Sequence, residues 1–187
     1  MEQQLIKLIK AVPELMDTAK ECNKINLPNY YVAGGAITQL IWNDLLGRKP
    51  LDQVKDFDIV YFDTTSCKSE QWYERNIASR LKHDIAIDVK NQARVHEWYP
   101  RKFGQVIPPY DRVEQGISSW LSAFAIGFRL NTLGEPEIYS TSGLADAFQM
   151  KVKPNKIAMT EASYLKMTQS FKERWPSISV EPWDSAC

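Results

Sequence analysis

A mixed α/β (α+β) fold built around one small sheet is the architecture this sequence predicts, and three observations predict it. Short β-rich runs alternate with stretches of helical periodicity along the chain. One of those runs stops at a pair of glycines that open directly into a helical stretch. The chain has 187 residues, 44% of them hydrophobic, enough for one core of reasonable size but not for two large independent domains.

The elements follow in order. Leu5, Ile6, Leu8, Ile9 and Val12 keep helical spacing, and Pro13 suits the first turn of a second segment whose Leu15, Met16 and Ala19 continue the stripe. Two amphipathic helices therefore open the chain over residues 1–26. After Pro28, "NYYVAGG" reads as a strand ending at Gly34 and Gly35, and "AITQLIWNDLLG" as a helix that stops at Gly47. A polar loop leads to a second strand around Phe57, Ile59, Val60, Tyr61 and Phe62. "KSEQWYERNIASRLKH" predicts a helix, "DIAIDVK" a third strand and "NQARVHEWYPRKFG" a short helix, closing a central region of residues 27–100. In residues 101–187, "ISSWLSAFAIGFRL" reads as helix running into strand, "PEIYS" as a strand, and "TEASYLKMTQSFKERW" as a terminal helix capped by Thr160. Residues 1–187 are read as one domain, without internal repeats or low-complexity tracts.

Composition narrows the function. Lys and Arg total 23 against 23 Asp and Glu, so no global field marks a nucleic-acid or membrane-surface binder. The N-terminal helix is interrupted by Lys7 and Lys10, which argues against a signal peptide or a membrane span. Cys22, Cys67 and Cys187 are odd in number and lack metal-ligand spacing, as expected of reduced thiols in a soluble cytoplasmic protein.

The chemistry concentrates in "KDFDIVYFDT", Lys55 to Thr64. Residues two apart on a strand share a face, so Asp56 and Asp58 project together while Phe57 and Ile59 face the other way. Asp84 and Asp88 lie in the next strand segment, and Asp88 is placed to join the pair. Three carboxylates of this kind suit Mg²⁺, which keeps several waters and completes its shell with substrate phosphates. Glycines between strand and helix permit close backbone approach, and the helix N-terminus near Ala36 offers N–H groups to a phosphate. Each part alone is weak, since an Asp-x-Asp pair or a Gly-Gly turn is common. The ordered combination is more specific.

That order, carried by "GGAITQLIWNDLLG", "DFDIVYFD", "DVKNQARVHEWY", "GFRL", "GLADAF" and "VKPN", resembles a bacterial nucleotidyltransferase-like family of the polymerase-β nucleotidyltransferase superfamily. The resemblance runs from about Leu27 to the final "RWPSISVEPW". It implies a small mixed sheet with flanking helices, an NTP donor, Mg²⁺, and transfer of a nucleoside monophosphate to an unidentified small-molecule, protein or RNA hydroxyl. It places Gly34 and Gly35 at the phosphates and Asp56, Asp58 and Asp88 as catalytic residues and metal ligands. The chain departs from the pattern at Ala36, where the superfamily often has Ser, and at Thr38-Gln39, where the narrower family often has Arg-Asn.

Other polar residues have a functional and a structural reading. Gln39, Arg94 and Arg129 are candidate nucleotide contacts, the arginines because guanidinium meets phosphate bidentately. Asn91 and Gln92 could orient substrate, although Asn91 also suits a helix cap. His96 is a candidate base without a visible partner, and His83 suits a helix C-terminus. Trp42, Trp72, Trp120 and Trp175 read as core. Two rival readings remain. One is a catalytically silent nucleotide-binding or regulatory protein; the other is a DxDxV phosphatase, disfavoured because polar "LDQVK" precedes Asp56 where that site needs an apolar strand.

Overall fold

The computed structural model describes residues 1–184. Cys187 and its expected reduced state lie outside those residues. Helices α1 (Glu2–Lys10) and α2 (Pro13–Lys24) open the chain, with Pro13 in the first turn of α2, where its missing N–H is not needed. Strand β1 (Tyr31–Ala33) ends at the glycine pair and passes into α3 (Gly35–Leu45). Then come β2 (Asp56–Tyr61), α4 (Glu70–Ala78), β3 (Ala86–Asn91), a 3-10 turn (Gln92–Arg94) and α5 (Val95–Phe103). The remainder is α6 (Val113–Ser118), β4 (Ile126–Leu130), β5 (Pro136–Ser140), α7 (Ala145–Phe148), β6 (Lys151–Val152), α8 (Glu161–Arg174) and β7 (Ser179–Val180).

The main sheet is mixed, in the order β3-β2-β1-β4-β5; only β2 and β3 run parallel. Its two faces differ as the side-chain alternation requires. Val32, Phe57, Ile59, Tyr61 and Val89 point into the larger core against the N-terminal helices and α3. Tyr31, Ala33 and Val60 occupy the opposite face, where Val113 and Ile117 of α6 cover part of it. The uncovered part of that face carries Asp56, Asp58 and Asp88.

An aromatic cluster joins the C-terminal helix to the centre. Trp42 packs edge-on against Phe124, Phe171 and Trp175, with ring centroids 5.5, 6.1 and 5.6 Å away. Both indole N–H groups are satisfied: Trp42 donates to the Ala147 carbonyl at 3.1 Å and Trp175 to Asn43 Oδ1 at 2.8 Å. Hence two of the tryptophans expected in the core are fully buried, whereas Trp72 is 39% exposed on α4.

Several local expectations shift. The helix expected up to His83 ends at Ala78, so His83 caps no helix. It lies in the loop before β3, with Nε2 3.1 Å from Thr18 Oγ1, and accepts the Ile85 N–H at Nδ1. Asp84 likewise precedes β3 rather than belonging to it. Helix α6 stops at Ser118, and residues 119–125 turn back toward α3 instead of running straight into β4. The short α7 and the parallel β6–β7 pair were not foreseen. Thr160 caps α8 as expected, its hydroxyl accepting the Ser163 N–H.

Candidate active site

The register places the acidic residues together. Asp58 lies opposite Asp88 across the parallel β2–β3 ladder and opposite Ala33, the last residue before the glycines, across β1–β2. Asp56 shares the face of Asp58 at the mouth of β2. All three line one cavity of about 430 Å³, together with Gly34, Gly35 and Gln39. This volume lies in the range of small-molecule sites.

Gly34 forms the tightest part of the floor. Its φ of +70° and ψ of −130° lie in a region only glycine occupies readily. A Cβ there would come within 2.8 Å of Trp120 Cζ3 and 3.3 Å of Asp58 Oδ2. The turn thus brings backbone, indole ring and carboxylate into contact.

Asp58 is the electrostatic focus. Burial, then the neighbouring charges of Asp56 and Asp88, push its carboxyl up to about 7, while Lys90 and the Gly35 N–H pull it down less. The Asp58 carboxylate is therefore only partly compensated by its immediate neighbours. Asp88 is paired with Lys90, two residues on and on the same face of β3. Among the described residues no three His, Cys, Asp or Glu side chains are grouped to hold a metal ion. What remains open is the all-oxygen pair Asp56 and Asp58, the latter only partly compensated. That pair fits Mg²⁺, which commonly takes one or two carboxylates and completes its shell with water and phosphate oxygens.

The other candidates divide. Gln39 is 7% exposed, stands one helical turn above Gly35 and lines the cavity. Gln92 lines it as well. Arg94 does not; among the described residues its guanidinium hydrogen-bonds the Ser66 carbonyl, at 3.5 Å, and lies near the Asp63 carboxylate. Arg129 also lies outside the lining, held bidentately by Glu137 at 3.1 and 3.3 Å and stacked over Tyr31. Asn91 is a clasp: its Oδ1 accepts from Ala93 N–H and Asp63 N–H, and its Nδ2 donates to the Asp63 carbonyl. His96 is absent from the lining, and its buried Nδ1 has no hydrogen-bond partner among the described residues.

Residues without an expected site role complete the walls, among them Trp120, which was expected in the core and is only partly buried. Lys55, Lys90 and Arg174 bring positive charge, and Trp98, Tyr99 and Trp120 bring ring surface. Lys90 was legible from the period-two spacing with Asp88. Trp120 was not, because its approach to Gly34 joins residues 86 positions apart.

Fold and site have the arrangement of the polymerase-β nucleotidyltransferase fold: a mixed sheet with a glycine turn feeding a helix beside carboxylates two apart on the adjoining strand. The model of a nucleotidyltransferase family matches residues 20–180, and the chain belongs to that family. A solved protein whose NMR structure is described as revealing "a CCA-adding enzyme head domain" superposes with a TM-score of 0.76 at 21% identity, covering 96% of this chain and 95% of that one. A second solved chain, from "tRNA-processing enzyme complex 3", gives a TM-score of 0.49 at 14% identity over 88% of this chain and 43% of its own. No curated protein sequence matches the chain.

Among the described residues no helix is long and apolar enough to cross a membrane.

Proposed function

We propose that this protein transfers a nucleoside monophosphate from an NTP to a hydroxyl acceptor, with Asp56 and Asp58 holding the Mg²⁺ that accompanies the donor's phosphates. The observation that carries this reading is the placement of both carboxylates on one open sheet face beside the glycine turn, with Asp58 short of compensating charge. Bound there, Mg²⁺ would neutralise phosphate charge and orient the α-phosphoryl group.

The chain's own groups have separable roles. The Gly34–Gly35 turn lets the triphosphate approach the backbone at the start of α3, and Gln39 offers an amide one turn further. Lys90 presents a cation to the phosphates from beside Asp88. Asp88 would take the acceptor hydroxyl's proton as its oxygen attacks the α-phosphorus. The α–β phosphoanhydride bond then breaks and pyrophosphate departs. The balanced overall charge favours a small or locally engaged acceptor over long nucleic acid.

Calorimetric titration of each NTP, with Mg²⁺ and with chelator, tests this for the native protein and for Asp58→Asn. Mg²⁺-dependent binding that disappears in the variant supports the reading. Binding that ignores both chelator and substitution removes it and favours a ligand-binding protein without transfer chemistry.

A further inference from the structure

Gln92 is 5% exposed, yet its side-chain amide makes no hydrogen bond among the described residues. The amide is not among the enclosed polar atoms that lack a partner, so it opens onto the cavity it lines and is free to bond a ligand there. Its seat is shaped for it. Gly116 stands inside α6, where glycine is less favourable than alanine, but a Cβ there would fall 2.0 Å from Gln92 Oε1 and 2.7 Å from Cδ. The missing methyl is the space the amide occupies.

The surroundings identify what the amide would meet. Along the chain the lining passes from Asp88 and Lys90 through Gln92 to Val95, Trp98 and Tyr99. Along this stretch the aromatic rings follow the charged residues, with the Gln92 amide between them and the Lys102 ammonium over the Trp98 ring. A flat, apolar-faced ring with donors and acceptors on its edge matches this lining, and a nucleobase is such a ring.

We propose that Gln92, seated by Gly116, reads the edge of a nucleobase beside the aromatic rings of the cavity and sets which base this protein accepts. The inference rests on the nucleotidyl-transfer reading above. The base belongs either to the donor NTP or to a nucleoside-type acceptor; the recognition chemistry is the same for both. Gln92 is the specificity-determining residue and Gly116 its positioning residue.

The test measures affinities by calorimetry for the native protein, Gln92→Ala and Gly116→Ala, each checked for a native-like circular dichroism melt. The probes are Mg²⁺·tripolyphosphate, the four NTPs with Mg²⁺, and the four nucleosides added over saturating Mg²⁺·tripolyphosphate. The native protein is expected to favour one base at least about fivefold, and both variants to reduce that preference to within about twofold while tripolyphosphate affinity stays unchanged. Preference among NTPs assigns the base to the donor; preference among nucleosides assigns it to an acceptor. Base preference that survives Gln92→Ala, or a native protein without preference, overturns the proposal. Gln92→Ala decides alone should Gly116→Ala fail to fold. Absence of tripolyphosphate binding by the native protein would count against the transferase reading instead, and Gln92-dependent nucleoside binding would still be measurable.

Discussion

At Gly34 a single residue answers to three constraints: a backbone conformation closed to other residues, the ring of Trp120 and the carboxylate of Asp58. Gly34→Ala is therefore expected to cost about 1–3 kcal/mol from backbone strain alone, with a further cost for displacing the indole. Urea titration of the variant measures this, and a loss under about 0.5 kcal/mol would contradict the tight floor described above. Asp58 should show the opposite trade. Its burial between two like charges disfavours the metal-free fold, so Asp58→Asn should stabilise that fold by about 1 kcal/mol while abolishing Mg²⁺-dependent nucleotide binding. Thermal melts in chelator check the first half; equal or lower stability of the variant would mean the carboxylate is better compensated than its neighbours imply.

At the scale of elements, the segment 119–125 helps to build the site without belonging to a helix or strand. Asn155 holds it from one side, donating to the carbonyls of Ser118 and Trp120 at 3.0 and 2.6 Å. Thr38 of α3 holds it from another, donating to the Ala123 carbonyl at 2.7 Å. Asp146 of α7 completes the support, accepting from Ser122 at 2.6 Å and pairing with Lys153 at 2.8 Å. The stretches "GLADAF" and "VKPN", which carried part of the family resemblance, thus act as buttresses for Trp120 rather than as contacts to substrate. Burial would raise the Asp146 carboxyl, but the bonds from Lys153 and Ser122 outweigh it and hold it below the usual carboxylate range. A depressed carboxyl contributes stability above its unfolded value near 3.8 and loses it as pH falls through the folded value. Asp146→Asn should cost about 1 kcal/mol at pH 7, and the difference from the native protein should shrink below pH 4. Chemical denaturation at both pH values tests it, and a constant difference would point to packing rather than charge.

On the scale of the whole molecule, α8 closes the cavity and the core together: Phe171 and Trp175 enter the aromatic cluster around Trp42, while Met167 and Arg174 face the site. The principal core reaches from Leu5 to Ile178. We expect a single cooperative unfolding transition, coincident by circular dichroism and tryptophan fluorescence, and loss of that transition on truncation before Thr160. Two separated transitions would divide the chain into independently stable parts.

Much of this was legible in the residues themselves because it depends on local pattern. Period-two alternation put Asp56 and Asp58 on one face, the glycine pair announced the strand-to-helix turn, and Thr160 marked the start of α8. Arg94 and Arg129 show the limit of that reading. Their type and position suited phosphate, but whether a guanidinium reaches a cavity depends on neighbours from other strands, and Glu137 and the Ser66 carbonyl hold them elsewhere. The tertiary structure alone decided that Trp120 lies on Gly34, that Gly116 makes room for Gln92, and that α8 walls the site. Each of these joins segments whose separation along the chain carries no periodic signal, and only the close packing of side chains brings them into contact.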